Sequence, residues 1–577
     1  MTVDEDLYTF MRKKILYLFY VIIGILITFS VKHSPMAWSQ KDPYEHAKEI
    51  KNSSLQQTKA KQDVNPSLKT QKVIKIHTNT KTDPCPTWIP PLAFGGVASA
   101  EVSLKQAHRW TQFRQARQTE RLIEAYRPQK VYQQYRIEQR WIDQGCITIS
   151  QLVDLGRAIF LRRFTKKEGF GHGDTQRATR SRLQQGKYGG PDASACVDCH
   201  WKGGFAGAGD RVDNALVFGD GENLHTQEVR NPLALWGSGW VEILAREMTQ
   251  DLHQQAQKAL QEAQKKQQAQ RIALMVQDIP FGWLTVHPDG TWNTNEIEGV
   301  DPDLVIKPFG WKGVFPTLRS FVTVSAHKHF NLQAEELLWH PDQHVDLGAG
   351  TASDPDQDQV TRELTVGQIT ALVTFLATLD VPQMLTPQVS MKKEPVFIGD
   401  AKTFEGGEFL LRWQEGFQLF EEIGCVGCHV PFMKIKKPLY PLTIPSSDTS
   451  SQILWIDLSK EGARPIAEKS EDGYYLLPVF SDFKRHKMGE KLRGLYKERG
   501  VDADVYLTRR LWGFAQTSPY LHTGSAHNLK DIMTMHGGEG SEAQHAVDGF
   551  FALTMDQKSS LRVFLAGLRR ANQIRIR

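Results

Sequence analysis

Two pentapeptides of this chain combine thiols and an imidazole at the spacing that haem attachment uses. Cys196-Val197-Asp198-Cys199-His200 and Cys425-Val426-Gly427-Cys428-His429 both read Cys-x-x-Cys-His. Two thiols one helical turn apart can form thioethers with the two vinyl groups of one porphyrin, and the adjacent imidazole can then ligate the iron. The sequence therefore predicts two covalently bound haem c groups. The attachment residues are Cys196, Cys199, Cys425 and Cys428, and the proximal iron ligands are His200 and His429.

Two other uses of paired cysteines compete with haem. A zinc site can use Cys-x-x-Cys pairs, but a histidine directly after the second cysteine is not the usual zinc spacing. A thioredoxin-like redox pair needs a βαβ context, and the sequence indicates none. With 6 cysteines and 19 histidines in 577 residues, two chance occurrences of the motif are negligible. Haem attachment is the favoured interpretation.

Two cysteines lie outside the motifs. Cys85 and Cys146 could pair in an oxidising compartment, and a disulfide closing so long a loop would contribute about 4 kcal/mol. The alternative is two buried free thiols.

Composition limits the classes of protein to which the chain can belong. It is 40% hydrophobic and 23% charged, which suits a globular protein of two or more domains. A mean hydropathy of -0.41 excludes a polytopic membrane protein. The net charge of +5 is too small to favour nucleic acid as a partner.

The N-terminus has the pattern of an export signal. Arg12-Lys13-Lys14 precede an apolar run from Ile15 to Val31, and Ala37-Trp38-Ser39 follow. We expect 1–39 to be a signal peptide cleaved after Ser39 or an uncleaved membrane anchor, and 40–95 to be a polar, flexible tether. Either form places the rest of the chain in the periplasm.

The remaining chain contains an internal duplication. Leu364-Thr365, Gln368, Leu372 and Phe375-Leu376-Ala377 recur as Leu553-Thr554, Gln557, Leu561 and Phe564-Leu565-Ala566. In each copy the threonine and glutamine form the capping box of a helix. Upstream, Gly156, Ile159 and Phe160 match Gly416, Leu419 and Phe420 in the same order.

The first copy is the longer one, so it carries insertions. A Gln- and Ala-rich segment from Glu247 to Gln277 predicts an exposed amphipathic helix, and Pro288-Asp289-Gly290 predicts a β-hairpin turn. The predicted fold is mainly α, with two cytochrome c-like haem domains at 96–390 and 391–577 and a β-hairpin and long-helix insertion in the first.

With these motifs in place, the chain resembles the bacterial di-haem c-type oxidoreductases, relatives of the di-haem cytochrome c peroxidases. The resemblance covers about residues 150–570. It is carried by 156–160 with Phe164-Thr165, Arg230-Asn231-Pro232-Leu233, 236–240 with Glu242-Ile243, 309–313 with Pro316-Thr317-Leu318, 517–524 and 536–539. Thr523 and Lys487 stand where the family usually has aspartate.

Residues around each iron are candidates for further roles. Met488, in a stretch similar to the family's, is the expected axial ligand of the second haem, which would then relay electrons, and the alternative is a methionine that only lines the haem pocket. Glu242 is the expected acid–base residue on the distal side of the first haem, where peroxide heterolysis needs a proton moved, and the alternative is a surface carboxylate at the start of a helix. His327 and His329 are either distal ligands or pocket wall, and Trp311 is either an electron mediator between the haems or a packed core residue.

A separate acidic segment has the alternation of a calcium loop. Asp354, Asp356 and Asp358 alternate, which predicts a calcium site, although Gln359 and Thr365 depart from the EF-hand pattern. A solvated acidic turn is the alternative.

The resulting functional prediction is a periplasmic, peroxidase-like di-haem oxidoreductase. Electrons would come from a small cytochrome or cupredoxin and pass through the second haem to the first, which would reduce peroxide. Two alternatives stay open: a non-enzymatic electron-transfer cytochrome with both irons six-coordinate, and a haem oxygenase acting on an organic substrate.

Overall fold

The computed structural model describes one part of the chain. The described residues are 136–171, 183–184, 187–188, 191–218, 224–348, 350–384, 396–398, 402–404, 407–447 and 451–570. Contacts divide the chain into Met1–Thr82 and Asp83–Arg577, and every described residue belongs to the second unit. The predicted signal or anchor, the tether and Cys85 lie outside the described residues. Within the described ranges, no helix combines the length and the apolar character that a membrane crossing needs.

Twelve helices make up the framework of the described chain. They are α1 Gln139–Asp143, α2 Ile149–Leu161, α3 Cys196–Cys199, α4 Ser238–Lys266, α5 Leu318–Phe330, α6 Glu335–Trp339, α7 Val366–Ala377, α8 Gly407–Glu422, α9 Leu458–Glu461, α10 Leu529–His536, α11 Gln544–Ala552 and α12 Met555–Ala566.

Short strands form eight small antiparallel sheets in this part of the chain, more β structure than the sequence predicts. The strands are β1 Leu183–Gln184, β2 Lys187–Tyr188, β3 Ala215–Val217, β4 Glu228–Arg230, β5 Gln270–Val276, β6 Ile279–Val286, β7 Trp292–Ile297, β8 Gln383–Met384, β9 Val396–Ile398, β10 Lys402–Phe404, β11 Met433–Ile435, β12 Leu439–Pro445, β13 Ser451–Asp457, β14 Glu468–Lys469, β15 Tyr475–Leu477, β16 Arg485–Lys487, β17 Val505–Leu507 and β18 Leu568–Arg569.

The duplicated helices cross in the same way in both halves. Helix α2 packs on α7, and α8 packs on α12. The predicted capping boxes are confirmed at Thr365 and Thr554. Each crossing depends on a glycine, because a Cβ on Gly156 would lie 2.0 Å from the Ala371 carbonyl oxygen and one on Gly416 would lie 2.1 Å from the Ser560 carbonyl oxygen.

The insertion differs in part from its prediction. Helix α4 begins at Ser238, earlier than expected, and the end of the predicted helical segment is strand β5. The hairpin is confirmed as β6 and β7, and β5 joins it in a three-stranded sheet. Leu252, Ala256 and Ala263 are buried, and α4 packs against β5 and β6, so the apolar face of the helix is covered.

The hydrophobic core does not divide at the predicted domain boundary near residue 390. Met433, Tyr440 and Leu477 lie in the same apolar cluster as Phe160 and Phe375. The reason is that β11 and β12 pack on α4, and β12 also packs on α7, whose apolar faces need cover. A second cluster holds residues of α8, α10, α11 and α12, among them Phe420 and Phe564.

Candidate functional site

Each motif folds into one tight turn that places its histidine beyond the second cysteine. Helix α3 spans Cys196–Cys199, and the amide of His200 donates to the Cys196 carbonyl at 3.2 Å. In the second motif Cys425–Gly427 form a 3₁₀ turn, and the amide of His429 donates to the Cys425 carbonyl at 2.9 Å. Both cysteine pairs are thereby held one turn apart, as attachment to a single porphyrin requires.

The two histidines are oriented by the same kind of hydrogen bond. His200 Nδ1 donates to the Gly207 carbonyl at 3.2 Å, and His429 Nδ1 donates to the Phe480 carbonyl at 3.0 Å. Burial lowers the pKa of each imidazole to about 4, so both are neutral near pH 7. A neutral imidazole with Nδ1–H engaged keeps its lone pair on Nε2, which is the usual state of a metal-ligating histidine.

Matching aromatic clusters pack beside the two histidines. Phe160, Phe205 and Phe375 contact one another in the first half, and Phe420, Phe480 and Phe564 do so in the second. The ring of Phe160 lies 6.4 Å from that of His200, and Phe420 lies 6.4 Å from His429. The duplication therefore extends from the helices to the surroundings of the histidines.

The motif thiols fit covalent attachment better than redox cycling. Cys196, Cys199, Cys425 and Cys428 are all free rather than disulfide-bonded. Burial raises the pKa of Cys196 and that of Cys425 to about 12. A redox-active Cys-x-x-Cys pair would instead have a lowered thiol pKa.

The zinc alternative finds little support at the second motif. Cys428, Asp482 and His486 place donor atoms within 4.8 Å of one another. Both ring nitrogens of His486, however, already hold carboxylates, Nε2 on Asp482 at 2.8 Å and Nδ1 on Glu542 at 2.7 Å. Burial disfavours the charged imidazole, but hydrogen bonds to Asp482, Cys428 and Glu542 outweigh it and raise the pKa of His486 to about 12. A doubly protonated ring cannot bind a metal.

A large apolar cavity opens in front of His200. It contains about 1660 Å³ of space outside the protein atoms, part of it open to solvent. Cys196, Cys199 and His200 lie in its wall. Its aromatic lining includes Phe160, Phe164, Phe309, Phe315, Phe321 and Phe330. An apolar wall of this size suits a porphyrin ring.

Two arginines give the same cavity an unbalanced positive charge. Arg509 and Arg510 both line it, and neither forms an ion pair with a carboxylate of the described residues. Arg509 donates to the Gly310 carbonyl at 3.0 Å, while its buried Nε has no hydrogen-bond partner in the described chain. Burial lowers the pKa of both guanidinium groups, that of Arg510 to about 10. Cations without a carboxylate partner beside an apolar cavity fit the two carboxylates of a haem, and no sequence pattern singled them out beyond their being consecutive.

Of the two histidines on α5, only one reaches the cavity. His329 lines it together with His200, and Nδ1 of His329 contacts Asp192 at 2.7 Å. His327 is buried away from it, with Nε2 2.9 Å from the Asp346 carbonyl. The first site thus has a second imidazole in the cavity wall, held in place by a carboxylate.

The second site has a histidine to which the sequence analysis gave no role. His536, at the end of α10, directs Nδ1 to the Ile532 carbonyl at 2.9 Å, and its proximity contributes to the lowered pKa of His429. Burial also lowers the pKa of His536 itself. Met488 is half-buried, and its amide donates to the Asp504 carbonyl. His536 is therefore a second candidate for the axial position for which Met488 is predicted, and the segment 536–539 that carries the resemblance was the available signal.

Glu242 is not brought into the cavity. Its Oε2 accepts hydrogen bonds from the Leu318 amide at 2.7 Å and the Tyr440 hydroxyl at 2.9 Å. Its Oε1 accepts from Arg246 at 2.9 Å. These contacts hold the first turn of α5 against α4 and give the carboxylate a structural role. Trp311 does line the cavity, and its Nε1 donates to the Asn231 carbonyl at 2.8 Å.

The acidic loop brings its three aspartates together. Carboxylate oxygens of Asp354, Asp356 and Asp358 lie within 4.8 Å of one another. Glu363 is buried close by and accepts from the Gln333 amide at 2.7 Å. Calcium binding at this cluster stays a prediction.

Cys146 is disulfide-bonded rather than free, and its proposed partner Cys85 lies outside the described residues.

Comparison with known proteins adds little. The sequence matches no protein-family model and no curated protein. Among solved structures, the chain is similar to a MauG-like protein associated with microbial copper homeostasis, at 15% identity. The match covers 50% of this chain and 77% of that chain with a TM-score of 0.24, which is too low to support an argument about fold or function.

Proposed function

We propose that this protein is a periplasmic di-haem c-type oxidoreductase with peroxidase-like activity. The observation that carries the proposal is that both Cys-x-x-Cys-His motifs hold a neutral histidine in the orientation a metal requires. In each, Nδ1 donates to a backbone carbonyl and Nε2 keeps its lone pair. Bound haem would supply one-electron chemistry and a coordination position for peroxide.

Residues of the chain would do four kinds of work. The four thiols would anchor the porphyrins, and His200 and His429 would ligate the irons. Arg509 and Arg510 would hold carboxylates of the first porphyrin, since neither has a carboxylate partner among the described residues. The apolar lining would exclude water from the reacting face.

Electrons would enter from a small cytochrome or cupredoxin at the second haem and pass to the first. The first site is assigned to peroxide because it opens on the described cavity. His329 in that cavity wall can move a proton between the two peroxide oxygens, a role for which Glu242 is badly placed. The N-terminal segment would export the protein and, if uncleaved, attach it to the membrane.

One observation favours a second function, a two-haem electron conduit without catalysis. Each site has a second histidine near the first, His329 beside His200 and His536 beside His429. If both bind iron, each haem is six-coordinate and no position is left for peroxide.

Ligand-titrated spectra separate the two functions. For the peroxidase we expect one haem with high-spin iron that binds cyanide and turns over peroxide with a reduced donor, and we expect His329→Ala to lower the turnover by about 10²-fold. For the conduit we expect two low-spin haems and no turnover, with His329→Ala creating a high-spin haem. A colourless protein with the mass of its bare polypeptide, from a host competent in cytochrome maturation, would contradict both.

A further inference from the structure

A buried tyrosine–histidine pair lies apart from both Cys-x-x-Cys-His motifs. The Tyr506 hydroxyl and His522 Nε2 lie at a hydrogen-bond distance of 3.2 Å, and the two rings stack with centroids 4.7 Å apart. Tyr506 is 7% exposed and His522 is 6% exposed, so water is largely excluded from the hydrogen bond. A phenol bonded to a buried base can pass its proton to that base without help from solvent.

The charges around the pair keep both groups neutral at rest. Burial, together with Arg230 and Lys312, lowers the pKa of His522 to about 3. The Lys312 ammonium lies 3.7 Å from the Tyr506 ring centroid and is itself fully buried. Burial raises the pKa of Tyr506. The phenol therefore does not ionise by itself, and it loses its proton only when it also loses an electron.

The pair lies between the cavity and the second motif. Trp311, in the cavity wall, stands edge-on to His522 with ring centroids 6.3 Å apart. On the other side, Tyr506 is the strand partner of His486, and a ring nitrogen of His486 lies within 4.8 Å of the Cys428 sulfur. This tyrosine–histidine pair therefore lies on a route by which electrons can pass between the two sites.

We propose that Tyr506 is a redox-active tyrosine and His522 its proton acceptor, a role that rests on the proposed peroxidase function. One electron leaves Tyr506 for a haem that peroxide has oxidised, and that haem is reduced by one electron. The phenolic O–H bond breaks as an N–H bond forms at His522 Nε2. The products are a neutral tyrosyl radical and an imidazolium. An electron from the external donor then reduces the radical, and the proton returns to the phenolic oxygen.

The surroundings make this a short-lived relay that needs a strong oxidant. Arg230 and Lys312 oppose the positive charge that forms on His522, which raises the potential of the pair. Proton transfer is still downhill, because an oxidised phenol is a far stronger acid than an imidazolium. Two other phenols of the described chain lack such a base, whereas Tyr440 donates to the Glu242 carboxylate. Tyr496 donates to the Thr226 carbonyl and Tyr520 to the Phe514 carbonyl, and a carbonyl cannot take the proton.

Rapid-freeze EPR of the full-length protein carrying both haems tests the assignment. The protein is mixed with hydrogen peroxide after growth on ordinary or ring-deuterated tyrosine. We expect a radical signal that narrows on deuteration, and we expect Tyr506→Phe to reduce it to background. The His522→Asn variant keeps an acceptor for the hydrogen bond of the phenol but has no base that can take its proton. It should therefore slow radical formation by roughly 10²-fold. The matched control Tyr520→Phe should leave the signal unchanged.

Three results would overturn the assignment. The first is a tyrosyl signal that persists in Tyr506→Phe, and the second is a loss of the signal in Tyr520→Phe as large as that in Tyr506→Phe. The third is the absence of a tyrosyl signal in wild-type protein whose haem spectrum does respond to peroxide. If the haem spectrum does not respond, the peroxidase function fails separately. The same EPR comparison is then made after oxidation with hexachloroiridate, and a wild-type protein without a Tyr506-dependent signal overturns the assignment. Retained haem spectra in each variant show that it has folded.

Discussion

At the residue scale, the two motif histidines reach the same state from different local structures. His200 follows an α-helical turn and His429 a 3₁₀ turn, yet each donates Nδ1–H to a backbone carbonyl outside its motif, 7 residues on for His200 and 51 residues on for His429. The sequence places the histidine next to the cysteines but says nothing of that carbonyl. The orientation of the ring, which decides whether it can bind iron, comes from tertiary structure.

Glu363 makes the stability of the calcium-free protein depend on pH. Burial, with repulsion from Asp356, Asp358 and Asp354, raises the pKa of Glu363 from 4.5 to about 10. An acid whose pKa is higher in the folded than in the unfolded state stabilises the fold fully when the pH is below the unfolded-state pKa. This stabilisation is lost as the pH rises toward the folded-state pKa. Between the two pKa values, each rise of one pH unit lowers the free energy of unfolding by up to about 1.4 kcal/mol.

We therefore expect Glu363→Gln to gain free energy of unfolding over wild type as the pH rises from about 5 to about 8, because glutamine keeps the shape of the neutral acid. Chemical denaturation in a chelator measures this, with the exposed Glu262→Gln as control. Calcium should shrink the difference if it binds the aspartates, since a cation offsets their repulsion. Parallel pH profiles for wild type and Glu363→Gln would contradict the prediction.

Some residues of the two sites are placed by their spacing along the chain, and others only by the tertiary structure. The thiols and proximal histidines follow from spacing along the chain, so the sequence predicts them directly. His536 and Arg509 reach their sites through folding over long distances. Arg509 belongs to no spaced motif, and the segment 536–539 that carries the resemblance gives His536 no role. Glu242 has the residue type of an acid–base catalyst, but Leu318, Tyr440 and Arg246 occupy it.

At the element scale, the repeated crossing of two helices is the feature that the sequence predicts best. Apolar spacing and capping boxes identify α7 and α12, and both boxes are present. The small sheets were mostly not predicted, because strands of two or three residues carry too little alternation to recognise. The end of the predicted insertion helix became β5, where its alternate residues are buried against α4.

A methyl group at the second crossing should separate its helices. A Cβ on Gly416 would lie 2.1 Å from the Ser560 carbonyl oxygen and 2.8 Å from Phe564 Cβ. Alanine is the better helix former by about 1 kcal/mol, but a contact this short against backbone outweighs that gain. We expect Gly416→Ala to lower the free energy of unfolding by about 1–3 kcal/mol.

Gly427→Ala is the matched control, since a Cβ there meets nothing within 4 Å. Denaturant unfolding followed by circular dichroism compares the two variants. A Gly416→Ala protein as stable as Gly427→Ala would show that the helices can move apart without loss.

At the scale of the whole molecule, the most deeply buried of the ion pairs that join the two halves of the described chain is that of Arg570 and Asp380. Arg570 Nε donates to Asp380 at 2.8 Å, and both side chains are almost fully buried. The guanidinium also donates to the Phe205 carbonyl at 2.6 Å and lies 4.7 Å from the Trp236 ring centroid. The same arginine thus contacts the end of α7, the aromatic cluster of the first site and a core tryptophan.

Removing this arginine should destabilise the molecule strongly. We expect Arg570→Met to lower the free energy of unfolding by about 3–5 kcal/mol, because Asp380 is left buried and uncompensated. The half-exposed Arg493→Met serves as control and should change stability by less than about 1 kcal/mol.

A double-mutant cycle with Asp380→Asn measures the coupling between the two side chains. If the losses from Arg570→Met and Asp380→Asn simply add, the pair contributes no stabilisation of its own.

The separation of Arg570 and Asp380 along the chain has a consequence for biosynthesis. The two residues are 190 positions apart. At about 5–20 residues per second, a ribosome needs about 10–40 s to make the intervening polypeptide. For that interval the earlier half lacks its partner arginine. The Asp380 carboxylate is therefore without its counter-ion until Arg570 has been made, and the earlier half gains this part of its stability only then.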